Sequence, residues 1–259
     1  MQRLFTVGRI LYAIAILSLG LEHLIWGNFP IALLPFPAKF PGRFVVVLAM
    51  GIAFVLAGIG LGSLRLARQA ALWLGVLFLL LVFYPHLPIL VTNIYNGGAW
   101  TVLTELTALS GGAFYLSGTL SQSLKNRFDP AVFGRILFAV SLLIFAIQHF
   151  MYAQYISTLI PAWIPARLFW AYFVGVAFAG TAVSLLLNRQ LKLTTGLLGL
   201  MFFLWVILLH TPRTMAHPQS EPEWTSLFIA LAMSGISFAF AGFEEQKVAA
   251  FRTNPLASY

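Results

Sequence analysis

An apolar run that begins near Gly8 carries Glu22 and His23 close to its end, and the chain writes this run twice. Gly8-Arg9-Ile10-Leu11 returns 126 residues later as Gly134-Arg135-Ile136-Leu137, and Glu22-His23 returns as Gln148-His149. Beyond this run the spacing settles at 124. Arg43 then matches Arg167, Gly51 matches Gly175, Gly75 matches Gly199, and His86-Leu87-Pro88 matches His210-Thr211-Pro212. Trp100-Thr101 matches Trp224-Thr225, Ser110-Gly111 matches Ser234-Gly235, and Gly118 matches Gly242. A single length change of two residues aligns the two halves, so any fold must accommodate one unit twice.

Each unit contains four apolar runs near the length that spans a bilayer. The eight expected spans are about 8–26, 44–63, 70–88, 100–119, 133–152, 167–187, 194–211 and 224–243. Hydrophobic residues make up 60% of the chain and charged residues 8%. A soluble surface cannot be covered with so little charge, since about 25% is usual. The expected fold class is all-α: a polytopic membrane protein with eight transmembrane helices arranged as two tandem parallel four-helix repeats. Repeat one covers 1–119, a linker 120–132, repeat two 133–243 and a tail 244–259. An even number of spans per unit makes the units parallel, related by a pseudo-two-fold axis along the membrane normal. The first run is too long for a signal peptide, lacks a small-residue cleavage site and has a copy in mid-chain.

The net charge of +8 reads as basic loops at a membrane surface rather than a nucleic-acid footprint. Arg3, Arg9, Arg65, Arg68, Lys125, Arg127, Arg135, Arg189, Lys192, Lys247 and Arg252 fall on one side; Lys39, Arg43, Arg167 and Arg213 fall on the other. The positive-inside bias then puts both termini, the linker and the tail in the cytoplasm. The expected location is a bacterial cytoplasmic (inner) membrane, with the lipid bilayer as the main partner. Cysteine is absent, which excludes disulfide and thiolate chemistry. Two proline-bearing apolar loops, Phe29–Pro41 and Ile160–Pro165, are expected as non-helical caps at the outer face. Trp26, Trp100, Trp163, Trp170 and Trp224 fall near that face, as an aromatic belt would.

Ionisable groups within spans are costly in hydrocarbon, which makes them functional candidates. His23 lies about 15 residues along span one, roughly 22 Å deep. His149 is its equivalent, and His86 and His210 end spans three and seven. Glu105 lies one turn and a half inside span four. Glu22, His23, His86 and Glu105 form the expected catalytic set, with Glu105 paired to His23 or His86. His149, His210, Arg43 and Arg167 form the expected ligand-binding set. Against this stands a structural reading, in which the histidines bond loop carbonyls and the acids make an ion pair. Metal ligation needs all ligands to converge from separate helices, because no helix carries a His-x₃-His or Glu-x-x-His pair. Haem ligation by paired histidines is similarly disfavoured. A quinone headgroup needs a donor, an acceptor and an apolar slot, which His with Glu or Arg at the interface supplies. Glu22 and Glu105 become Gln148 and Ile229 in the second unit, so repeat one is expected to hold the active site.

The second unit resembles the DoxX family of bacterial membrane proteins. The resemblance rests on Gly134-Arg-Ile-Leu-Phe-Ala-Val, Ala146-Ile-Gln-His149-Phe, Ile160-Pro-Ala-Trp-Ile-Pro165 and Leu168-Phe-Trp-Ala-Tyr-Phe-Val-Gly175. The first unit carries a weaker version with His23, Pro35 and Gly51. The resemblance implies four-span units and an association with redox chemistry, because a relative, DoxD, is associated with a thiosulfate:quinone oxidoreductase. It implies a partner redox subunit, and it transfers no catalytic residues. The competing reading is a non-enzymatic transporter, binding protein or scaffold that uses the cleft between the repeats.

Overall fold

A computed structural model describes residues 3–30, 33, 34, 36, 39–121 and 129–253. Pro35, Pro37, Lys125 and Arg127, most of the linker and the end of the tail lie outside the described residues. The described residues are helical, with no strand among them. In chain order the helices are α1 Arg3–Trp26, α2 Arg43–Gly62, α3 Ala67–Leu81, α4 Leu87–Thr92, α5 Gly97–Thr119 and α6 Pro130–Met151. They continue with α7 Ala153–Leu159, α8 Arg167–Leu187, α9 Leu191–Trp205, α10 Thr211–Ala216 and α11 Glu221–Thr253. Seven segments are long and apolar enough to cross a membrane: Arg3–Trp26, Arg43–Gly62, Ala67–Thr92, Pro130–Met151, Arg167–Leu187, Leu191–Ala216 and Glu221–Glu244.

The remaining expected span, 100–119, is helix α5, and it is not one of the seven. Thr101, Thr104, Glu105, Thr107 and Ser110 lower its hydropathy. Protein rather than lipid surrounds much of it: every residue from Ala108 to Ser117 is buried. Several of its hydroxyls bond locally or across to α3, while those of Thr104 and Tyr115 have no partner among the described residues. Thr107 donates to the Leu103 carbonyl (2.8 Å), and Ser110 donates to the Gly75 carbonyl (2.8 Å).

Two spans run past the prolines expected to end them. A π-helical turn, Val82–His86, joins α3 to α4, and another, Val206–His210, joins α9 to α10. Pro88 and Pro212 sit in the first turn of the short helices that follow, where a missing N–H costs nothing. Widening the preceding turn relieves the clash of the proline ring with the carbonyl four residues back. In the second turn Thr211 donates to the Val206 carbonyl at 2.7 Å. Elsewhere side chains set helix starts: Asn96 caps α5 by accepting from the Ala99 N–H, and Asp129 caps α6 by accepting from the Ala131 N–H, ahead of Pro130. The second cap loop, Ile160–Pro165, is non-helical as expected, and the short helix α7 precedes it.

The order of packing differs from the order of the chain. Helix α1 packs on α2 and on α11, while α5 packs on α3 and on α6; α8 lies against α6, and α9 against α11. The first and last helices therefore share a seam, and α5 and α6 share another. Glycines make both seams close. A Cβ on Gly235 would lie 2.7 Å from the Gly8 carbonyl oxygen, and one on Gly111 would lie 2.8 Å from that of Gly134. Backbones in contact maximise dispersion where lipid supplies no hydrophobic drive. Tyr12, fully buried on α1, donates to the Leu109 carbonyl of α5 (2.8 Å), and Tyr115 stacks on Phe240 at 3.6 Å. The start of α1 and the Gly242 turn of α11 thus lie at one end of the bundle.

Several contacts occur twice. Ser234 donates to the Gly199 carbonyl (2.9 Å) as Ser110 does to Gly75. Trp100 donates to the Ile94 carbonyl (2.8 Å) and Trp224 to that of Pro218 (3.0 Å). His23 lies edge-on to Phe54 (5.4 Å) and His149 edge-on to Phe178 (5.1 Å). Gly42 (φ 75°) precedes α2 and Ala166 (φ 54°) precedes α8, both in the left-handed region.

Candidate functional site

The expected site residues gather at the end of the bundle away from the start of α1, though not as one cluster. Glu22 sits on the last turns of α1 and is only 3% exposed. One carboxyl oxygen accepts a hydrogen bond from the hydroxyl of Thr225 on α11, which is fully buried. The other oxygen has no partner. A groove of about 460 Å³ opens here, lined by Ser18, Glu22, Trp26, Trp224 and Phe228 among others. The Trp224 bond to Pro218 fixes that indole, and Phe228 lies 5.9 Å from it. The result is a carboxyl group in an aromatic slot that spans the seam between the first and last helices.

The other seam carries the same arrangement with an amide. Gln148 on α6 donates to the Thr101 hydroxyl (2.9 Å) and to the Gly97 carbonyl (3.0 Å) of α5. Both donor hydrogens are therefore used. Glu105 follows Thr101 by one turn on α5 and is half-buried. Among the described residues it forms no hydrogen bond or ion pair, so the expected pairing with His23 or His86 is not made. The reason is topological. The seam turns α5 towards α6, so Thr101 meets Gln148 rather than a residue of α1.

Three of the four duplicated histidines are individually bonded. In His23 Nδ1 meets the Leu19 carbonyl (2.7 Å), and in His149 Nδ1 meets the Phe145 carbonyl (2.9 Å). His23 is fully buried, packed edge-on against Phe54 and Phe29, and its Nε2 has no partner. His86 is 3% exposed, is hydrogen-bonded to the Leu33 backbone, and keeps an unpartnered Nε2. Phe29 and Leu33, both buried, belong to the loop that covers this pair. His149 is half-buried and stacks near Trp205 (6.5 Å). His210 is also half-buried, with Nδ1 unpartnered. Among the described residues no group of three or more His, Asp or Glu side chains could hold a metal ion.

The two arginines part ways. Arg43 donates to the Asn28 side-chain oxygen and lies 5.1 Å over the Phe29 ring. Arg167 is exposed on a groove of about 670 Å³ together with Arg213 and His217. Arg213 is itself paired with Glu223 at 2.8 Å.

Sequence reasoning did not single out Thr225, Thr101 or the aromatic walls around Glu22. The duplicated Trp-Thr dipeptide at the start of the fourth span of each unit was the available signal. It reads as a mark of repetition until the seams show which residue each threonine meets.

A family model described as a domain of unknown function (DUF8561) matches residues 138–237. No curated protein matches the chain, and no solved structure does. The matched stretch holds His149, Arg167, His210 and Thr225 and leaves out Glu22, His23, His86 and Glu105.

Proposed function

We propose that this multi-pass membrane protein binds a quinone headgroup in the groove beside Glu22 and works with a partner redox subunit in a bacterial cytoplasmic membrane. We read it as two tandem DoxX-type units of four spans, with α5 as the eighth span and the termini cytoplasmic. The contacts that occur twice favour the two units, and the Lys/Arg split favours the orientation.

One observation carries the functional reading. Glu22 is 3% exposed, keeps one oxygen unpartnered and lines a slot walled by Trp26, Trp224 and Phe228. Aromatic walls take a flat ring by stacking. A protonated carboxyl donates to a quinone carbonyl, and a carboxylate accepts from a quinol hydroxyl. Reduction of a bound quinone takes two electrons and two protons. The electrons would come from the partner subunit; the Glu22 carboxyl would supply one proton, and the second would come from water that reaches the open groove.

The same carboxyl among aromatic rings, with no basic side chain bonded to it, also favours a second reading: a non-enzymatic site for an organic cation. Titration of the purified protein with decylubiquinone and with tetraethylammonium, read by tryptophan fluorescence, separates the two. The quinone reading expects saturable quenching by decylubiquinone. Glu22→Gln, which keeps a donor, then weakens binding about tenfold. Binding of the cation alone, abolished by Glu22→Gln, supports the second reading. Binding of neither defeats both.

A further inference from the structure

We propose that the groove beside Arg167 is a binding site for a free single-chain acyl carboxylate, separate from the Glu22 groove. The floor is apolar, made by Leu159, Trp163, Ile207 and Leu208, and Arg167 stands among the lining residues with Arg213 and His217. Glu223 offsets the charge of Arg213, whereas among the described residues no hydrogen bond or ion pair reaches Arg167. The groove therefore offers one uncompensated positive charge beside an apolar channel. Its volume of about 670 Å³ suits one small ligand, since such sites run from about 300 to 1,000 Å³.

The first half of the chain shows what this space takes. There Arg43, the counterpart of Arg167, meets an oxygen of Asn28 and the ring of Phe29. Phe29 fills the space beside it, and Phe29, Leu33 and Leu34 of the same loop are at most 1% exposed. Phe29 also packs on Phe36 at 4.6 Å. The chain thus supplies its own oxygen acceptor and its own apolar filler. In the second half the corresponding segment winds into α7, and Tyr155, in the place of Phe29, is 66% exposed. The filler is withdrawn, and the arginine is left facing an open groove. His149 and His210 are correspondingly less covered than His23 and His86, and His210, next to the lining residue Leu209, keeps an unpartnered Nδ1. A fatty acid supplies both missing parts, an anionic oxygen for Arg167 and an apolar chain for the floor.

The test is quenching of tryptophan fluorescence by 12-doxyl-stearate, with the full chain in neutral phosphatidylcholine nanodiscs. Trp163 lines the groove, so Trp163→Phe should remove the saturable part of the quenching. Arg167→Gln should weaken binding about tenfold, and so should replacing the acid by its methyl ester. Ala216→Phe, which fills the groove from an exposed position, should abolish binding with the fold intact. Glu22→Gln should leave it unchanged, which keeps this result independent of the quinone reading. Equal binding of the ester, or a saturable phase that survives Trp163→Phe, overturns the proposal. Competition by dioleoyl phosphatidic acid as strong as that by stearate would make the groove a diacyl-lipid site and overturn the single-chain assignment.

Discussion

Glu22 on α1 meets Thr225 on α11, and Gln148 on α6 meets Thr101 on α5. The two seams share close glycine contacts, a threonine from the helix that descends and a carboxyl or amide from the helix that rises. They differ in what is left over. The amide of Gln148 spends both hydrogens on α5, whereas the carboxyl of Glu22 keeps one oxygen in reserve beside an aromatic groove. One atom, nitrogen in place of oxygen, separates a contact that closes a seam from one that can also receive a ligand.

The largest effect should come from the seams themselves. Gly8→Val and Gly134→Val each force a side chain into facing backbone, and each should cost about 3 kcal/mol or more in thermal or denaturant unfolding. Gly180→Val, at a position with open space, should cost under about 1 kcal/mol. Unequal losses at Gly8 and Gly134 would break the likeness of the seams.

Next comes the exchange of the two polar groups. Gln148→Glu loses the donation to the Gly97 carbonyl, while the Thr101 hydroxyl can turn to donate to the new carboxyl as Thr225 does to Glu22, so it should destabilise by about 1.5 kcal/mol. Glu22→Gln should leave stability within about 1 kcal/mol of the parent, because the amide still accepts from Thr225. Equal losses from both changes would show that the spare oxygen is structural.

A comparable contrast lies in the arginines. Arg43→Gln gives up the bond to Asn28 and the position over Phe29, and should cost about 1.5 kcal/mol. Arg167→Gln should stay within about 0.5 kcal/mol. The smallest expected effect is a gain. Ala166 holds the left-handed conformation that glycine holds at position 42, so Ala166→Gly should stabilise by about 0.5–1 kcal/mol. A loss there would mean that the two helix starts are not alike.

Much of this was legible in the sequence, for identifiable reasons. Apolar run length located seven of the spans, and the duplicated Gly, His and Trp-Thr positions anticipated the contacts that occur twice. The interior position of His23 also followed from its place in α1. Neighbours were not legible. Periodicity says that α5 is a helix, and nothing local says that it faces α6 and leaves Glu105 without His23 or His86. Thr225 lies 203 residues from Glu22, so no pattern along the chain joins them. The prolines misled at His86 and His210, because a proline that ends a regular helix can equally follow a π turn and start another. Access misled too. The acids pointed to the first half, yet the loop over His23 and His86 seals that pair, while His149 and His210 are the more open.

The packing of α1 on α11 has a consequence for how the protein is made. Helix α1 leaves the ribosome before α11, so the seam that holds Glu22 cannot form until α11 has been made. Until then a carboxyl group stands in the membrane without its hydroxyl partner, and the glycine face of α1 is open to lipid or to any other small-residue helix. Helix α5 shares this dependence, since its polar face gains cover only once α6 and α11 have been inserted beside it. Assembly of this seam therefore waits for α11: a chain truncated before α11 would hold an acid, half a groove and an unmatched face together in the bilayer.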